Sequence, residues 1–334
     1  MISKAVVTGA SGLLGGNIVR ELLAAGSEVI AVVRDVERAR RLLPPEARLV
    51  RGDVTDVAGF AAEFAGADAI LHTAAYFREY YQPGHDPALL RRTNVDSIGL
   101  LLQAAADTGV SAVVHISSIG ALGAAPASRP ADESRPLDLS VTRNRYYLSK
   151  IASEQLVAEF AERRGLRVSI VLPGWMWGPG DAGPTSAGRL FLAVAGGELP
   201  AVPDAGNHVV DARDVAVACV RAADGGSGRY VVAGPRRTLP EICAGIAREV
   251  GVRTPRAVPP RVALSAAGLL ELRDRLRGRT PTATRQGVRA LMEGNKRHVS
   301  SARATDELGI TFRDLERTLP DTAAWYRDHG MLPA

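Results

Sequence analysis

Two side chains suited to proton transfer, Tyr146 and Lys150, stand four residues apart in this sequence. In a helix that spacing puts both on one face. A tyrosine with a pKa of about 10 is a poor acid–base catalyst at neutral pH. A nearby ammonium lowers that pKa by stabilising the phenolate. The pair therefore predicts Tyr146 as a proton donor with Lys150 as its helper, whereas Tyr147 lacks the spacing and is expected to shape the pocket.

Two serines, Ser117 and Ser118, follow the apolar run that begins at Ala112. A hydroxyl at the carboxyl end of a strand can hold a substrate carbonyl oxygen beside a proton donor. A hydrogen bond within a turn is the alternative role of each serine. The residues alone leave both as candidates.

A glycine-rich loop comes directly after the first predicted strand. Gly9 permits a tight turn, Gly12 lets the backbone approach a pyrophosphate, and Gly15 allows a helix to pack closely on the strand. The amino end of that helix offers N–H groups and a partial positive charge to phosphates. The predicted dinucleotide contacts in this loop are Gly9, Ser11, Gly12, Leu13, Leu14 and Gly15.

The end of the second predicted strand indicates which dinucleotide binds. Val33, 24 residues after Gly9, takes the position where NAD sites usually carry an acid, and Arg34 follows it. An arginine there accommodates the 2′-phosphate of NADP. Arginines on the next helix could reach the same phosphate: Arg38, Arg40 and Arg41. NADP(H) is therefore favoured; in the NAD(H) alternative, Arg34 faces solvent and Asp35 binds the ribose.

Asp53, with Val54 beside it, follows the third predicted strand. This position suits acceptance of a hydrogen bond from the adenine amino group. Capping of the following helix is the alternative role of Asp53.

Strands alternate with helices through the first 170 residues or so. The strands are too apolar for one solvated face, as expected of a parallel sheet covered on both sides. They are predicted at Ala5–Thr8, Glu28–Val33, Arg48–Arg51, Asp68–His72, Ala112–Ser117 and Arg167–Leu172. The helices are predicted at Leu13–Ala25, Asp56–Phe64, Pro87–Thr108 and Arg143–Arg164. This order indicates an α/β fold with a doubly wound parallel Rossmann sheet.

After Pro173 the alternation stops at a turn-rich stretch that cannot be one regular element. Asp211–Ala223 reads as a helix, Arg229–Val232 as a strand returning to the sheet, and Thr238–Glu241 as a capping box for a helix that ends at Gly251. We therefore predict a Rossmann domain over 1–172, with 209–234 returning to it. Residues 173–208 and 235–334 form a smaller, mostly helical C-terminal substrate lobe.

The composition is that of a globular protein, with 46% hydrophobic and 23% charged residues in 334. The net charge is +5, but the basic residues are spread along the chain among 36 acids, which argues against nucleic-acid binding. Only three of the 41 basic residues are lysines. A lysine retained against such a bias suggests that Lys150 must be an ammonium.

Other features exclude several classes of protein. No apolar run approaches the roughly 18 residues of a membrane span. The first strand begins almost at Met1, so no signal peptide is expected. Two isolated cysteines indicate a reducing compartment, and the histidines lack metal-ligand spacing. We expect a soluble, cytoplasmic protein without a metal.

Taken together, these motifs resemble the extended branch of the short-chain dehydrogenase/reductase superfamily. The resemblance rests on the loop Thr8–Gly15, the serine, tyrosine and lysine, and Leu172-Pro173-Gly174, and it covers essentially the whole chain. Within that branch the sequence is most similar to dihydroflavonol reductase-like proteins. The residues that carry this similarity are Val33–Asp35, His72–Ala75 and the ending Asp314–Pro333.

The resemblance implies further site residues. The catalytic serine of the family lies five residues before a glycine, and Gly123 selects Ser118. Arg34 and Arg41 are implied to hold the 2′-phosphate. Cofactor contacts are implied for Thr73, Ala74, Ala75, Pro173 and Trp175. Family dehydratases carry an acid after the catalytic hydroxyl residue, and Ile119 stands there instead, which argues against dehydration.

The predicted function is reduction of a ketone or aldehyde with NADPH. The alternatives are an NAD-dependent sugar-nucleotide epimerase using the same triad, and a cofactor-sensing regulator without chemistry, a class that tends to lose the tyrosine–lysine pair. Aromatic and other large side chains suggest an apolar or aromatic small-molecule substrate: Tyr76, Phe77, Tyr80, Trp175, Met176 and Trp177. A homodimer is expected from the long helices near Pro87–Thr108 and Arg143–Arg164. The stretch Arg261–His298 matches nothing assignable.

Overall fold

A computed structural model describes residues 1–77, 86–276 and 285–333. A seven-stranded parallel sheet forms its centre, in the order β10-β6-β5-β4-β1-β2-β3. The strands are β1 (Lys4–Thr8), β2 (Glu28–Val33), β3 (Arg48–Arg51), β4 (Ala69–His72), β5 (Ala112–Ile116), β6 (Arg167–Pro173) and β10 (Gly228–Val232). The doubly wound parallel sheet predicted from the sequence is confirmed, and the returning strand joins it beside β6.

Helices cover both faces of this sheet. They are α1 (Leu13–Ala24), α2 (Val36–Arg40), α3 (Pro87–Arg91), α4 (Ser97–Asp107), α5 (Arg145–Arg164) and α7 (Ala212–Gly225). On one face α1 and α7 pack together over β1, β4 and β5, and on the other α4 and α5 enclose a second apolar core. Burial on both faces explains why the strands read as continuous apolar runs.

Two of the predicted helices are broken in the structure. The predicted helix Asp56–Phe64 is two short 3₁₀ turns, Val57–Gly59 and Ala61–Phe64, separated by Phe60 at a φ of −139°. The predicted helix Pro87–Thr108 is interrupted by a π-helical turn at Arg92–Asp96. Within that turn Asn94 points inward, where its amide bonds the backbone N–H and C=O of Tyr76. These bonds tie the π-helical turn to the segment that follows β4.

The remaining strands form two small sheets. One contains β7 (Trp175–Trp177), β9 (Gly206–Asp211) and β11 (Arg236–Thr238), and the other β8 (Ala201–Pro203) and β12 (Arg256–Val258). The turn-rich stretch after Pro173 thus contains a short strand, β7, which Gly174 separates from β6. The remaining helices are α6 (Ser186–Ala195), α8 (Leu239–Val250), α9 (Pro260–Leu276), α10 (Arg285–Glu293), α11 (Ala302–Leu308) and α12 (Leu315–Asp328).

Helix α8 shows how local sequence sets its ends. Thr238 and Glu241 form the predicted capping box, with each side chain bonding the other residue's backbone N–H. The helix ends at Gly251, which has a φ of +73°. Its apolar face packs with α6 and α12 in a third core.

The end of the chain does not stay within the predicted lobe. Ala304, Leu308 and Ile310 are buried in the core between the sheet and α7. The backbone of 297–299 also forms bridges with Ala125 and Ala131, in the loop after β5. Segments assigned to the lobe are thus interleaved with the Rossmann core, and the predicted division of the chain stays a prediction.

Candidate active site

The predicted site residues gather along one edge of the central sheet. The glycine loop follows β1, Thr73 follows β4, Ser118 follows β5 and Pro173 ends β6. Since these strands are parallel and adjacent, their carboxyl ends meet in one crevice. Arg34 and Asp53 follow β2 and β3 at the same edge.

The glycine loop has the geometry that a dinucleotide requires. Gly9 has a φ of +70°, and a Cβ there would lie 2.7 Å from the backbone nitrogen of Ala74. Gly12 caps α1 without a side-chain hydrogen bond, so no side chain of the loop occupies the N–H groups of the first turn. A Cβ on Gly12 would meet only the carbonyl of Gly9 within 4 Å. The loop residues thus fit a pyrophosphate, which needs close backbone approach and free N–H donors.

The segment after β4 packs against that loop. Thr73 donates its hydroxyl proton to the carbonyl of Thr8 at 2.8 Å, which ties the ends of β1 and β4 together. Ala74 and Ala75 follow, half-buried. Ala74 lies so close to Gly9 that a side chain at Gly9 would meet its backbone.

Arg34 and Arg41 are exposed and have no ion-pair partner among the acidic residues that the structure describes. The carboxylate of Asp35, which would bind ribose in the NAD alternative, instead accepts the backbone N–H of Arg38 at 2.9 Å as the cap of α2. Arg40 pairs with Glu37.

The other arginine of this helix and the acid after β3 have local partners. Arg38 donates to the carbonyl of Ala182. Asp53 accepts the backbone N–H and the hydroxyl of Thr55, next to the buried Val54. These bonds and the charge of Arg34 lower the pKa of Asp53 in spite of partial burial, which raises it. The alternative capping role of Asp53 is wrong, because Asp56 stands at the N-cap of the following 3₁₀ turn, Val57–Gly59.

Tyr146 and Lys150 lie in the first turns of α5 and are both buried. The side chain of Asn144 caps this helix by accepting the N–H of Tyr146 at 3.0 Å, which fixes where the helix begins. The Lys150 ammonium lies 5.8 Å from the centre of the Tyr146 ring and donates to the carbonyl of Ile116 at 2.8 Å. That bond ties α5 to the end of β5, two residues before Ser118.

The predicted lowering of the Tyr146 pKa is wrong for this structure. Burial raises that pKa, with a smaller contribution from Tyr147, because a phenolate is poorly solvated there. Burial also lowers the pKa of Lys150 to about 8, opposed by the negative charge of Glu154. Tyr146 therefore holds its proton at neutral pH, as a proton donor must.

The two candidate serines have different surroundings. Ser117 is buried and donates its hydroxyl to Glu154, which occupies its only proton. Ser118 is half-buried, and its oxygen accepts the N–H of Gly120 at 3.1 Å. The Ser118 hydroxyl thus retains its proton for a bond in the crevice. Gly123, which selected Ser118 in the sequence, has a φ of +71°.

A buried ion pair, not foreseen from the sequence, lies behind Lys150. Glu154 is one helical turn further along α5 and is 0% exposed. Its carboxylate lies 2.9 Å from Nε of Arg229 on β10, although these two atoms do not meet hydrogen-bonding geometry. Burial raises the pKa of Glu154, while Arg229, Ser117 and Lys150 act in the opposite direction. The signal available in the sequence was the repeat of the four-residue spacing, Tyr146, Lys150, Glu154.

Two buried histidines, His72 and His115, stack at the ends of β4 and β5 with ring centres 5.9 Å apart. His72 bonds the hydroxyl of Thr8 at 2.7 Å, and His115 bonds that of Ser153 at 2.9 Å. Burial and the Lys150 charge lower the pKa of His72 to about 3, and they hold that of His115 well below its usual value. Both rings are neutral, so Lys150 is the cation beneath the crevice.

Aromatic side chains border Tyr146. Its ring centre lies 4.8 Å from that of Phe77 and 5.7 Å from that of Tyr147, and Tyr76 and Leu90 complete the cluster. Of the other residues predicted to shape a pocket, Tyr80 lies outside the described residues. Trp175, Met176 and Trp177 form β7, where the indole of Trp175 donates to Ser186. Trp177 and Trp175 pack in the core with α6 and α8, and Met176 packs against the core over α7.

The described part of the chain holds no cluster of histidine, cysteine and acidic residues arranged for a metal ion. Within that same part, every helix is too short or too polar to span a membrane. Cys219 and Cys243 are buried and unpaired with each other.

Comparison with known proteins identifies relatives over the whole chain. The sequence model of the NAD dependent epimerase/dehydratase family matches residues 5–234. A Synechocystis protein that carries a dihydroflavonol 4-reductase name is 29% identical over 97% of this chain and 94% of its own. Sterol demethylase protein B of Methylococcus capsulatus is 33% identical over 98% and 99% of the two chains.

Solved structures have the same fold from end to end. The crystal structure of gox2253 superimposes with a TM-score of 0.83 at 30% identity, covering 99% of both chains. A nucleoside-diphosphate-sugar epimerase from Pseudomonas aeruginosa gives a TM-score of 0.79 at 25% identity, covering 98% of this chain and 99% of its own. The relatives therefore include both reductase and epimerase names.

Proposed function

The chain belongs to the NAD-dependent epimerase/dehydratase family, in the extended branch of the short-chain dehydrogenases/reductases with dihydroflavonol reductase-like relatives, and we propose that it is an NADP-dependent reductase of ketones or aldehydes. The observation that carries this proposal is the buried pair of Tyr146 and Lys150, at the edge where the glycine loop opens. A sensor without chemistry has no need of a buried ammonium beside a buried phenol. Burial of such groups costs free energy and is typical of catalytic sites.

The proposed roles follow from the protonation and hydrogen bonding of each side chain. Tyr146 holds its proton at neutral pH and donates it to the carbonyl oxygen of the substrate as that oxygen gains negative charge. Ser118 orients the same oxygen through its free hydroxyl proton. Lys150, held by the carbonyl of Ile116 at 2.8 Å, supplies the positive charge that stabilises the phenolate left behind.

The nicotinamide cofactor, when bound, supplies the hydride that reduces the carbonyl carbon. The loop Gly9–Gly15 is proposed to hold its pyrophosphate, with Thr73, Ala74, Ala75, Pro173 and Trp175 lining the rest. Two observations support NADP: Arg34 and Arg41 form no ion pair with the described acids, and Asp35 is committed to capping α2. A 2′-phosphate would provide the missing negative charge.

The second candidate is an NAD-dependent epimerase of sugar nucleotides. The family description and the 25% identical epimerase structure favour it. The two candidates differ in net reaction: the reductase consumes reduced cofactor, whereas an epimerase returns it unchanged.

The test is a panel of ketones and aldehydes, assayed by loss of NADPH absorbance. We expect turnover of several apolar or aromatic carbonyl compounds, and a fall of kcat by about 10²–10⁴-fold in Tyr146→Phe, which removes the proton and keeps the ring. Tyr147→Phe is the matched control and should change kcat little. Full activity in a folded Tyr146→Phe protein would exclude the mechanism. Conversion of a sugar nucleotide without net cofactor change would support the epimerase instead.

A further inference from the structure

A buried arginine that forms no ion pair with a described acid lies beside Tyr147, the neighbour of the proposed proton donor. Arg297 is 5% exposed, in the segment between α10 and α11. Its Nε has no hydrogen-bond partner among the described residues, and its guanidinium carbon lies 5.0 Å from the centre of the Tyr147 ring. Burial of a charge without a partner is costly, so such a group is expected to have one in the working protein.

No acid in the described parts of the chain forms an ion pair with Arg297. Glu293 is near enough for the charge of Arg297 to oppose the raising of its pKa by burial, but the two form no ion pair. The other polar groups near Arg297 are basic or neutral. Arg236 donates to Asn295 at 2.9 Å, and its own Nε is likewise buried without a partner.

His208 and His298 lie beside these arginines, and the four side chains of Arg236, Arg297, His208 and His298 form one cluster. His208 bonds the carbonyl of Gly234 through Nδ1 and accepts the N–H of Val299 at Nε2, so its ring is neutral. Burial lowers its pKa, and the positive charges of Arg236 and Arg297 add to that effect. The cluster therefore concentrates positive charge, and no described acid forms an ion pair with Arg297, although Glu293 lies near enough to interact with its charge.

Arg297 lies near the residues that are proposed to carry out the reduction. The Tyr147 ring near its guanidinium fills the space that a side chain at Gly120 would need, two residues after Ser118. On the other side, the Tyr147 ring centre is 5.7 Å from that of Tyr146. The backbone of Arg297 pairs with Ala125 in the loop that follows the catalytic serine. An anion bound at Arg297 would belong to the molecule whose carbonyl faces Tyr146.

We propose that Arg297 binds a carboxylate of the substrate, so that the enzyme acts on an apolar or aromatic carbonyl compound that carries an acid group at its far end. This inference rests on the proposed reductase function and specifies its substrate class. Two parallel N–H···O bonds from the edge of a guanidinium are the geometry in which arginine recognises carboxylates. A carboxylate is proposed rather than a phosphate because its two coplanar oxygens match the planar fork of the guanidinium.

Equilibrium binding tests the inference without relying on turnover. Calorimetry on the NADP⁺-saturated protein would compare 4-(hydroxymethyl)benzoate and 4′-(hydroxymethyl)biphenyl-4-carboxylate with their methyl esters, which have the same skeletons without the charge. We expect at least one acid to bind tenfold or more tightly than its ester. Arg297→Met should remove that preference, a loss of roughly 10- to 100-fold for a charged hydrogen bond, and Arg297→Lys should keep part of it.

The matched control is Arg237→Met, which removes the same charge one residue along β11 from Arg236. It should leave the preference for the acid unchanged. Equal binding of acid and ester by the unmutated protein, or a preference that survives in Arg297→Met, would overturn the inference. So would tighter binding of 4-(hydroxymethyl)phenyl phosphate than of either acid. Thermal unfolding of each variant separates lost binding from lost folding.

Turnover of the corresponding aldehydes with NADPH tests the underlying function separately. Reduction of the neutral ester aldehydes, with no preference for the acid, leaves the reductase standing and removes the role of Arg297. A lack of reduction across the whole carbonyl panel contradicts the reductase, whatever the calorimetry shows.

Discussion

Glu154 is expected to set the pH range in which the enzyme works, through its charge on Lys150. Lys150 has a pKa lowered to about 8 by burial, and the negative charge of Glu154 keeps that pKa from falling further. Lys150 is charged below its pKa and neutral above it. If the ammonium is required, kcat/KM is highest below pH 8 and falls tenfold per unit as the pH rises beyond it.

The substitution Glu154→Gln removes that negative charge with little change of volume. An opposite charge within about 4–6 Å shifts a pKa by about one unit or more, which corresponds to about 1.4 kcal/mol. The alkaline limb of the profile should therefore move from near pH 8 to about pH 7 or lower. Activity measured at pH 8 should drop at least several-fold, while activity at pH 6 changes little.

The assay is kcat/KM for NADPH between pH 6 and 10, because that ratio reports the ionisations of the free enzyme. Glu162→Gln, on the exposed side of the same helix, is the matched control and should leave the profile unchanged. An alkaline limb at the same pH in Glu154→Gln and the unmutated protein would refute the reasoning. It would mean that Glu154 carries no charge near neutrality or that the limb belongs to another group.

Stability has to be followed in the same experiment. Glu154→Gln leaves Arg229 without its counter-ion, and breaking a buried pair in this way typically costs about 3–5 kcal/mol. The double variant Glu154→Gln with Arg229→Met removes both charges. It should fold more stably than the single variant while keeping the shifted pH profile.

Three further predictions concern the cofactor, the serine and the assembly. The unmutated protein should bind NADPH at least tenfold more tightly than NADH, a difference of about 1.4 kcal/mol in binding free energy. In a fluorescence titration, Arg34→Ala should erase most of that preference. Equal affinities of the unmutated protein for the two cofactors would count against NADP. Ser118→Ala should lower kcat roughly 10- to 1000-fold by removing one donor to the carbonyl oxygen. Ser117→Ala should chiefly lower the melting temperature, because it leaves buried Glu154 short of a hydrogen bond. The reverse pattern would reassign the catalytic serine. A homodimer predicts a light-scattering mass near twice the 35.3 kDa of the chain, and a mass of one chain at micromolar protein would reject it.

The strands of the central sheet could be predicted from sequence because most of them are buried on both faces and the loops that follow carry their own signals. Gly9, Gly12 and Gly15 mark the first turn, and the four-residue spacing of Tyr146 and Lys150 marks one face of α5. Such signals are local, and their geometry needs no knowledge of distant partners. The helix ends at Thr238 and Gly251 were predicted for the same reason.

What the sequence could not show depends on contacts between distant segments. Asn94 lies in the π-helical turn, and its amide bonds the backbone of Tyr76, 18 residues earlier. Arg229 neutralises Glu154 from a strand 75 positions further along the chain. The direction of the Tyr146 pKa was wrong because the sequence reports the neighbouring ammonium but not the depth of burial. Arg297 lies in a stretch of sequence with no recognisable pattern, so its proposed role could be inferred only from its position beside Tyr147 in the structure.

The interleaving of the chain's end with the Rossmann core constrains how this enzyme could be recombined with its relatives. Residues 302–310 sit under α7, and 297–299 bridge the loop after β5, so neither half of the chain is a contiguous module. A chimaera made with a single crossover near residue 173 would join one parent's sheet to another parent's α11 and would mismatch the packing of Ala304, Leu308 and Ile310. Exchange of substrate preference between relatives therefore needs a transplanted patch of separate segments, with the native α11 retained.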